Sequence, residues 1–234
     1  MPRNLRLTGN IRDKVIDAQG YDSVTFASGV KLTECRFVNF TFKKLVGFGV
    51  FRRIEFVDCV FDNCRMEGLI TGRTLFDSCT FTGGTWREWF AFEVSFVNCV
   101  FATRLEKVIF HGRDTTKHFL WPLRNRVEGN DFTNADMEDC AFRGGVDLSR
   151  QRFGTSDAFV TAHSITLLCA LLEERAQETH PDVARELSIE IDMFRDEATD
   201  GQEWAYVEKS SFNEHIPEQA QAWELIREAA RQVG

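Results

Sequence analysis

The sequence lacks a long hydrophobic run and a secretion signal. No apolar stretch approaches the roughly 20 residues that a membrane-spanning helix needs, so we expect no contact with a membrane. The first residues, MPRNLRLTGNIRDK, contain no apolar signal core. We therefore expect a cytoplasmic protein.

The sequence also lacks cysteine patterns that bind metals, and it contains little tyrosine. The 7 cysteines include no Cys-x-x-Cys pair, and no cluster of Cys and His has zinc spacing, so we expect no metal and no cofactor. An odd number without a secretion signal favours reduced, buried thiols that pack as small apolar groups. The chain has 22 Phe but 2 Tyr, and this imbalance favours a dry, repetitive interior because Phe has no hydroxyl to satisfy.

A six-residue pattern recurs along the first part of the chain. It consists of an aromatic residue, any residue, Asp/Asn/Ser, usually Cys, any residue and Phe, and it reads YDSVTF, FVNFTF, FVDCVF, FDSCTF and FVNCVF, with a weaker MEDCAF. The copies begin at Tyr21, Phe37, Phe56, Phe76, Phe96 and Met137. In the three best copies the cysteines are 20 residues apart, and the two apolar anchors within each copy are five residues apart.

A period of five within a period of 20 fits neither a helix, with its period of 3.6, nor a simple strand, with its period of two. It fits a square coil with five residues on each side, in which stacked strands lie about 4.8 Å apart and Phe lies over Phe. The alternative is a β-sandwich of alternating strands, but a sandwich has no reason to keep a 20-residue register.

The five-residue units resemble the pentapeptide-repeat family. The segments that carry the resemblance are CVFDN (59–63), CRMEG (64–68), CTFTG (79–83), CVFAT (99–103), ADMED (135–139) and CAFRG (140–144). The resemblance covers roughly residues 21–150, with Cys and Phe where the family often has Ala and Leu. It implies a mainly β fold, a right-handed quadrilateral β-helix, in a protein that is not an enzyme.

Two segments break the repeat. In TWREWFAF, residues 85–92, Trp86 occupies an inward position, but Trp89 occupies a position that favours a small residue. The coil must therefore bulge, or one indole must point outward as a binding contact; a bulky residue filling a corner is the alternative. The second break, at about 111–128, has a basic cluster and predicts a loop that projects from the coil, either functional or decorative.

A helical period begins after Ser149. We predict helices over about 157–178, 181–198 and 202–212, and a last one from Pro217. Residues 1–150 thus form the predicted solenoid, with an N-terminal cap, and 151–234 form a helical segment that caps the solenoid, docks or forms a homodimer. Charge divides unevenly, with a net +3 in residues 1–156 and −11 in residues 157–234.

The first functional hypothesis is a non-enzymatic interaction protein that shields or sequesters a toxin-like protein partner, as in immunity or self-protection. The second comes from the family resemblance: a DNA mimic that binds a type II topoisomerase, DNA gyrase, as quinolone-resistance members do. Such a mimic needs an acidic solenoid, whereas the predicted solenoid is slightly basic. Direct binding of nucleic acid is disfavoured by the small basic cluster and the acidic chain.

The third hypothesis is an enzyme using His111, Asp114 and His118, which all lie in one predicted loop with a single carboxylate. We assign no catalytic residue. The expected partner-binding surface residues are Trp89, Arg113, Lys117, His118, Trp121, Arg124 and Arg126.

Overall fold

A computed structural model describes residues 3–21, 23–43, 52–68, 73–113 and 124–234. The chain divides into two compact units, the first made of Met1–Cys140 and Ser149–Thr155 and the second of Ala141–Leu148 and Ser156–Gly234. The first ten strands are β1 (Asn4–Leu7), β2 (Asn10–Arg12), β3 (Val15–Asp17), β4 (Ser23–Phe26), β5 (Lys31–Thr33), β6 (Arg36–Val38), β7 (Thr41–Lys43), β8 (Ile54–Val57), β9 (Val60–Asp62) and β10 (Arg65–Glu67).

Strands of two to twelve residues follow. The next nine strands are β11 (Thr74–Asp77), β12 (Thr80–Ala91), β13 (Val94–Val97), β14 (Val100–His111), β15 (Val127–Glu128), β16 (Asp131–Phe132), β17 (Asp136–Glu138), β18 (Ala141–Arg143, in the second unit) and β19 (Arg152–Phe153). Short 3-10 turns span Ala18–Gly20 and Leu148–Arg150. One sheet stacks β2, β5, β8, β11, β13 and β15, and another path runs β3, β6, β9, β12, β14, β16 and β19, so the first unit is a parallel β-solenoid.

The predicted register is confirmed at residue level. On one side Phe56, Phe76 and Phe96 are register partners, and on the next side Phe61, Phe81 and Phe101 are. Rings of successive turns stack nearly parallel, as for Phe76 and Phe96, whose centroids are 5.2 Å apart with an interplanar angle of 6°. This aromatic interior explains why the chain uses Phe and almost no Tyr.

The polar third residue of the motif forms the corner of the coil. Asp58, Ser78 and Asn98 stack at one corner, and each has a positive φ of 52–55°. Asn39 and Asp139 occupy other corners and also have positive φ, at 60° and 55°. Short polar side chains tolerate this left-handed conformation better than other non-glycine residues do. The polar third position of the motif is therefore explained by the positive φ at the corner.

The cysteine that follows the corner is buried between turns. The Cys79 thiol donates to the Phe56 carbonyl at 3.4 Å, and the Cys99 thiol donates to the Phe76 carbonyl at 3.4 Å. Each thiol thus contacts the backbone of the turn before it. All 7 cysteines are free and buried, as the sequence predicted.

The second unit combines helices with an antiparallel strand pair. Its remaining elements are β20 (Phe159–His163), α1 (Ile165–Glu178), α2 (Pro181–Thr199), β21 (Trp204–Glu208), a 3-10 turn (Lys209–Ser211) and α3 (Pro217–Val233). The core of the unit contains Leu168, Leu187, Phe194, Trp223 and Ile226. The predicted mainly β fold with a C-terminal helical segment is confirmed.

Two helix predictions need correction in this unit. The helix predicted from about 157 begins at Ile165, because Phe159–His163 is a strand and Ser164 is the N-cap. The helix predicted over 202–212 is wrong, because Trp204–Glu208 is the strand that pairs with β20. Both segments are rich in aromatic and β-branched residues, which favour strands once a distant partner is present.

Candidate functional site

The described ends of the segment predicted as a loop contact each other. Residues 111–113 and 124–128 are described, and Arg113 and Arg124 form an antiparallel bridge. The Asn125 backbone N–H donates to the Gly112 carbonyl at 3.0 Å. We call these two segments, residues 111–113 and 124–128, the loop base. Lys117, His118, Trp121 and Asp114 lie outside the described residues.

The Asn125 side chain ties the loop base to the solenoid wall. Its Nδ2 donates to the Phe92 carbonyl at 2.6 Å and to the His111 carbonyl at 2.8 Å. One amide group therefore joins two turns of the coil to the returning chain. Because both carbonyls belong to the solenoid, the loop base is held in position by the scaffold.

His111 belongs to the interior. Its side chain is 4% exposed, and its ring stacks on Phe92 with a centroid distance of 4.4 Å and an interplanar angle of 23°. A buried, stacked imidazole has poor access to a substrate in solution. Among the described residues no group of three or more His, Cys, Asp or Glu could hold a metal ion.

A groove of about 300 Å³ lies beside the loop base. We call it the arginine groove, and it is lined by Arg53, Arg73, Thr74, Glu93, Ser95, Arg124 and Asn125. The Ile54 N–H donates to the Arg73 carbonyl at 2.9 Å, and the Thr74 N–H donates to the Glu93 carbonyl at 3.0 Å. These bonds show that the lining residues come from successive turns, which stack about 4.8 Å apart.

The charges around the arginine groove are unequally neutralised. Arg53 pairs with Glu55 at 2.9 Å, and Arg126 pairs with Glu128 at 2.5 Å. Within the described part of the chain, Arg73, Arg113 and Arg124 form no ion pair. The predicted surface residues Arg113, Arg124 and Arg126 are exposed, and they lie together at the loop base.

Trp89 is buried, and the expectation that it is a surface contact is corrected. Its side chain is 0% exposed, and its ring centroid lies 4.3 Å from that of Trp86. The register of β12 shifts between Thr82 and Thr85, so the coil bulges and both indoles point inward. The Gly83-Gly84 pair before the indoles was the sequence signal for the bulge, since both glycines have positive φ.

Phe90, which the sequence interpretation passed over, is the exposed aromatic residue of this segment. Its side chain is 42% exposed and lies on the outer face of β12. The Trp89 indole N–H has no acceptor among the described residues, although it is fully buried. The exposed aromatic side chain of the segment 85–92 is therefore Phe90, not Trp89.

The thiols are poorly placed to act as nucleophiles, because all 7 are buried. Burial raises the pKa of the Cys64 thiol to about 11, and burial also raises the pKa of Cys79. A thiol with a raised pKa stays protonated near neutral pH and reacts slowly. The cysteines are parts of the solenoid interior.

The strand register, the phenylalanine stacks and the left-handed polar corners define a parallel β-solenoid, the kind of fold that the pentapeptide-repeat resemblance implies. No protein-family model and no curated protein matches the chain. A solved structure of full-length QnrB1, a plasmid-mediated fluoroquinolone resistance protein, is 13% identical with a TM-score of 0.30, over 64% of this chain and 81% of that chain. A trypsin-treated variant of QnrB1 is 15% identical with a TM-score of 0.28, over 63% of this chain and 78% of that chain. No helix in the described ranges is long and apolar enough to cross a membrane.

Proposed function

We propose that the chain is a non-enzymatic, cytoplasmic protein that binds a protein partner and shields or sequesters it, in an immunity or self-protection role. The loop base carries the proposal. Asn125 ties the returning chain to two turns of the solenoid, and exposed arginines surround that point. A rigid scaffold that presents a loop with charged residues suits recognition of another protein.

The proposed contact residues are those of the loop and its base. They are Arg113, Lys117, His118, Trp121, Arg124 and Arg126. Because Arg113 and Arg124 are bridged antiparallel, residues 114–123 can be replaced by Asn-Gly, which favours a tight hairpin turn. This deletion removes the loop and leaves its base closed.

The test is an affinity pull-down from the native host, read by mass spectrometry, with the full-length chain beside the Asn-Gly variant. We expect one protein to be recovered by the full-length chain and lost with the variant, while the melting temperature of the variant stays close to that of the parent. A second, matched control is Arg65→Gln, which changes an exposed arginine on another side of the coil. Recovery of the same partner at the same yield with the Asn-Gly variant would contradict the proposed site.

Binding to a type II topoisomerase is the second candidate function. The sequence of the first unit carries a net charge of +3 and that of the second unit −11, so the acidic charge lies outside the solenoid. A DNA mimic places its negative potential on the surface that replaces DNA. Recovery of topoisomerase subunits in the pull-down would favour this candidate over sequestration of a small partner.

A further inference from the structure

Several arginines of the solenoid are neutralised by an acid on a neighbouring turn. Arg36 pairs with Asp62 at 2.6 Å, Arg87 with Glu106 at 2.8 Å, and Arg152 with Asp131 at 3.4 Å. Stacking places each outward side chain beside its counterparts, so such pairs relieve repulsion between like charges. The arginine groove departs from this pattern.

Among the described residues that line the arginine groove, positive charges outnumber negative ones. These residues include the cations Arg53, Arg73 and Arg124 and the one anion Glu93, and Arg53 already pairs with Glu55. Arg73 and Arg124 form no ion pair with a residue that the structure describes. Holding these cations close together favours an anionic ligand.

The spacing of the cations suits carboxylates on a peptide. The register of Phe76, Phe96 and Val127 places Arg73 and Arg124 two turns apart, or about 10 Å along the coil. In an extended polyproline II segment, carboxylates three residues apart lie on the same side and are separated by about the same distance. Each guanidinium can grip one carboxylate through two parallel N–H donors.

We infer that the arginine groove binds an acidic segment of the partner protein through Arg73 and Arg124. This inference rests on the proposed function, because it names the chemistry of the partner that the function requires. A nucleic acid fits less well, since Glu93 lies in the groove and the whole chain carries a net charge of −8. The proposed partner surface is therefore acidic, whereas the DNA-binding surface that a DNA mimic occupies is basic.

The test measures binding of a fluorescein-labelled hexaglutamate peptide to the full chain by fluorescence anisotropy at low salt. We expect salt to weaken the binding, and the double variant Arg73→Gln/Arg124→Gln to weaken it roughly tenfold or more. Glu93→Gln removes the acid from the groove, so we expect binding roughly threefold tighter. Arg65→Gln is the matched control, and we expect no change.

Several outcomes would overturn the inference. The parent chain could fail to bind hexaglutamate, or Arg65→Gln could lose as much affinity as the double arginine variant. Glu93→Gln could bind the peptide more weakly than the parent, or a short DNA duplex could bind more tightly than the peptide. A host partner recovered equally by the parent and by the double arginine variant would support the proposed function and refute the acidic-segment inference. If hexaglutamate binds at the groove but the pull-down recovers no host partner, the result would support an acidic ligand for the groove and count against the proposed function.

Discussion

Glu190 provides a pH-dependent test of the packing in the second unit. It lies on α2, and its pKa is raised from 4.5 to about 7, first by burial and then by the charges of Glu197 and Glu186. Glu197 pairs with Arg143 at 3.2 Å, and Glu186 accepts from Gln219 at 3.2 Å. Glu190 therefore lies between two carboxylates that have partners of their own.

A raised pKa means that the folded chain holds the Glu190 proton more tightly than the unfolded chain does. Between pH 4.5 and about 7 the folded state binds more protons, so the free energy of unfolding falls as the pH rises through this range. The full shift corresponds to about 3 kcal/mol above neutral pH. Because the side chain keeps some contact with solvent, we expect about 1–3 kcal/mol.

The substitution Glu190→Gln replaces the acid with a neutral group of the same shape. We expect it to change the free energy of unfolding little near pH 4.5 and to stabilise the second unit by about 1–3 kcal/mol near pH 8. Urea unfolding followed by helical circular dichroism reports this unit, since the three α-helices among the described residues belong to it. Glu174→Gln, at an exposed position on α1, is the control.

A difference between parent and Glu190→Gln that stays constant from about pH 4.5 to 8 would refute the reasoning. So would an equal pH-dependent gain with Glu174→Gln, because the effect would then follow the net charge of the chain. A loss of stability at both ends of the range would show that the carboxylate makes a contact that the amide cannot replace.

Further predictions concern the solenoid. Phe81→Ala should lower the free energy of unfolding by about 3–5 kcal/mol through a cavity in the phenylalanine stack, as measured by denaturant titration. Ser78→Val should cost about 1–3 kcal/mol because a β-branched residue is strained at the left-handed corner, and Ser78→Gly should be nearly neutral in the same assay. Gly84→Ala should destabilise more than either corner variant, since its Cβ would collide with the Cys64 carbonyl oxygen; a variant as stable as the parent would show that the bulge can relax. The cysteines should react with a thiol reagent at the rate of unfolding, and fast labelling of the folded chain would contradict their burial.

The repeat could be predicted because each position of the motif has one local task. The Phe fills the interior, the Asp, Asn or Ser forms a left-handed corner, and the Cys fits between turns, so five residues carry the geometry of one side. The helices over Pro181–Thr199 and from Pro217 could be predicted for a similar reason, since apolar period and N-terminal proline agree. Such features need no information from distant parts of the chain.

The errors occur where a distant partner decides the structure. The strand Phe159–His163 pairs with the strand Trp204–Glu208, which begins about 40 residues later in the chain. Neither segment identifies its partner by itself. Trp89 is similar, because its burial depends on a bulge that two glycines permit five and six residues earlier. The pattern identified an irregular position, but it could not choose between a bulge and an outward indole.

The arginine groove escaped sequence interpretation for a related reason. Arg53, Arg73, Glu93 and Arg124 are spread over more than 70 residues and become neighbours through stacking. A 20-residue register predicts that Arg53, Arg73 and Glu93 align, but Arg124 joins them only because the segment after His111 returns to the coil at the loop base. In a solenoid the scaffold can therefore be inferred from one repeat, whereas a surface site depends on how the insertions shift later residues into the register of the turns before them.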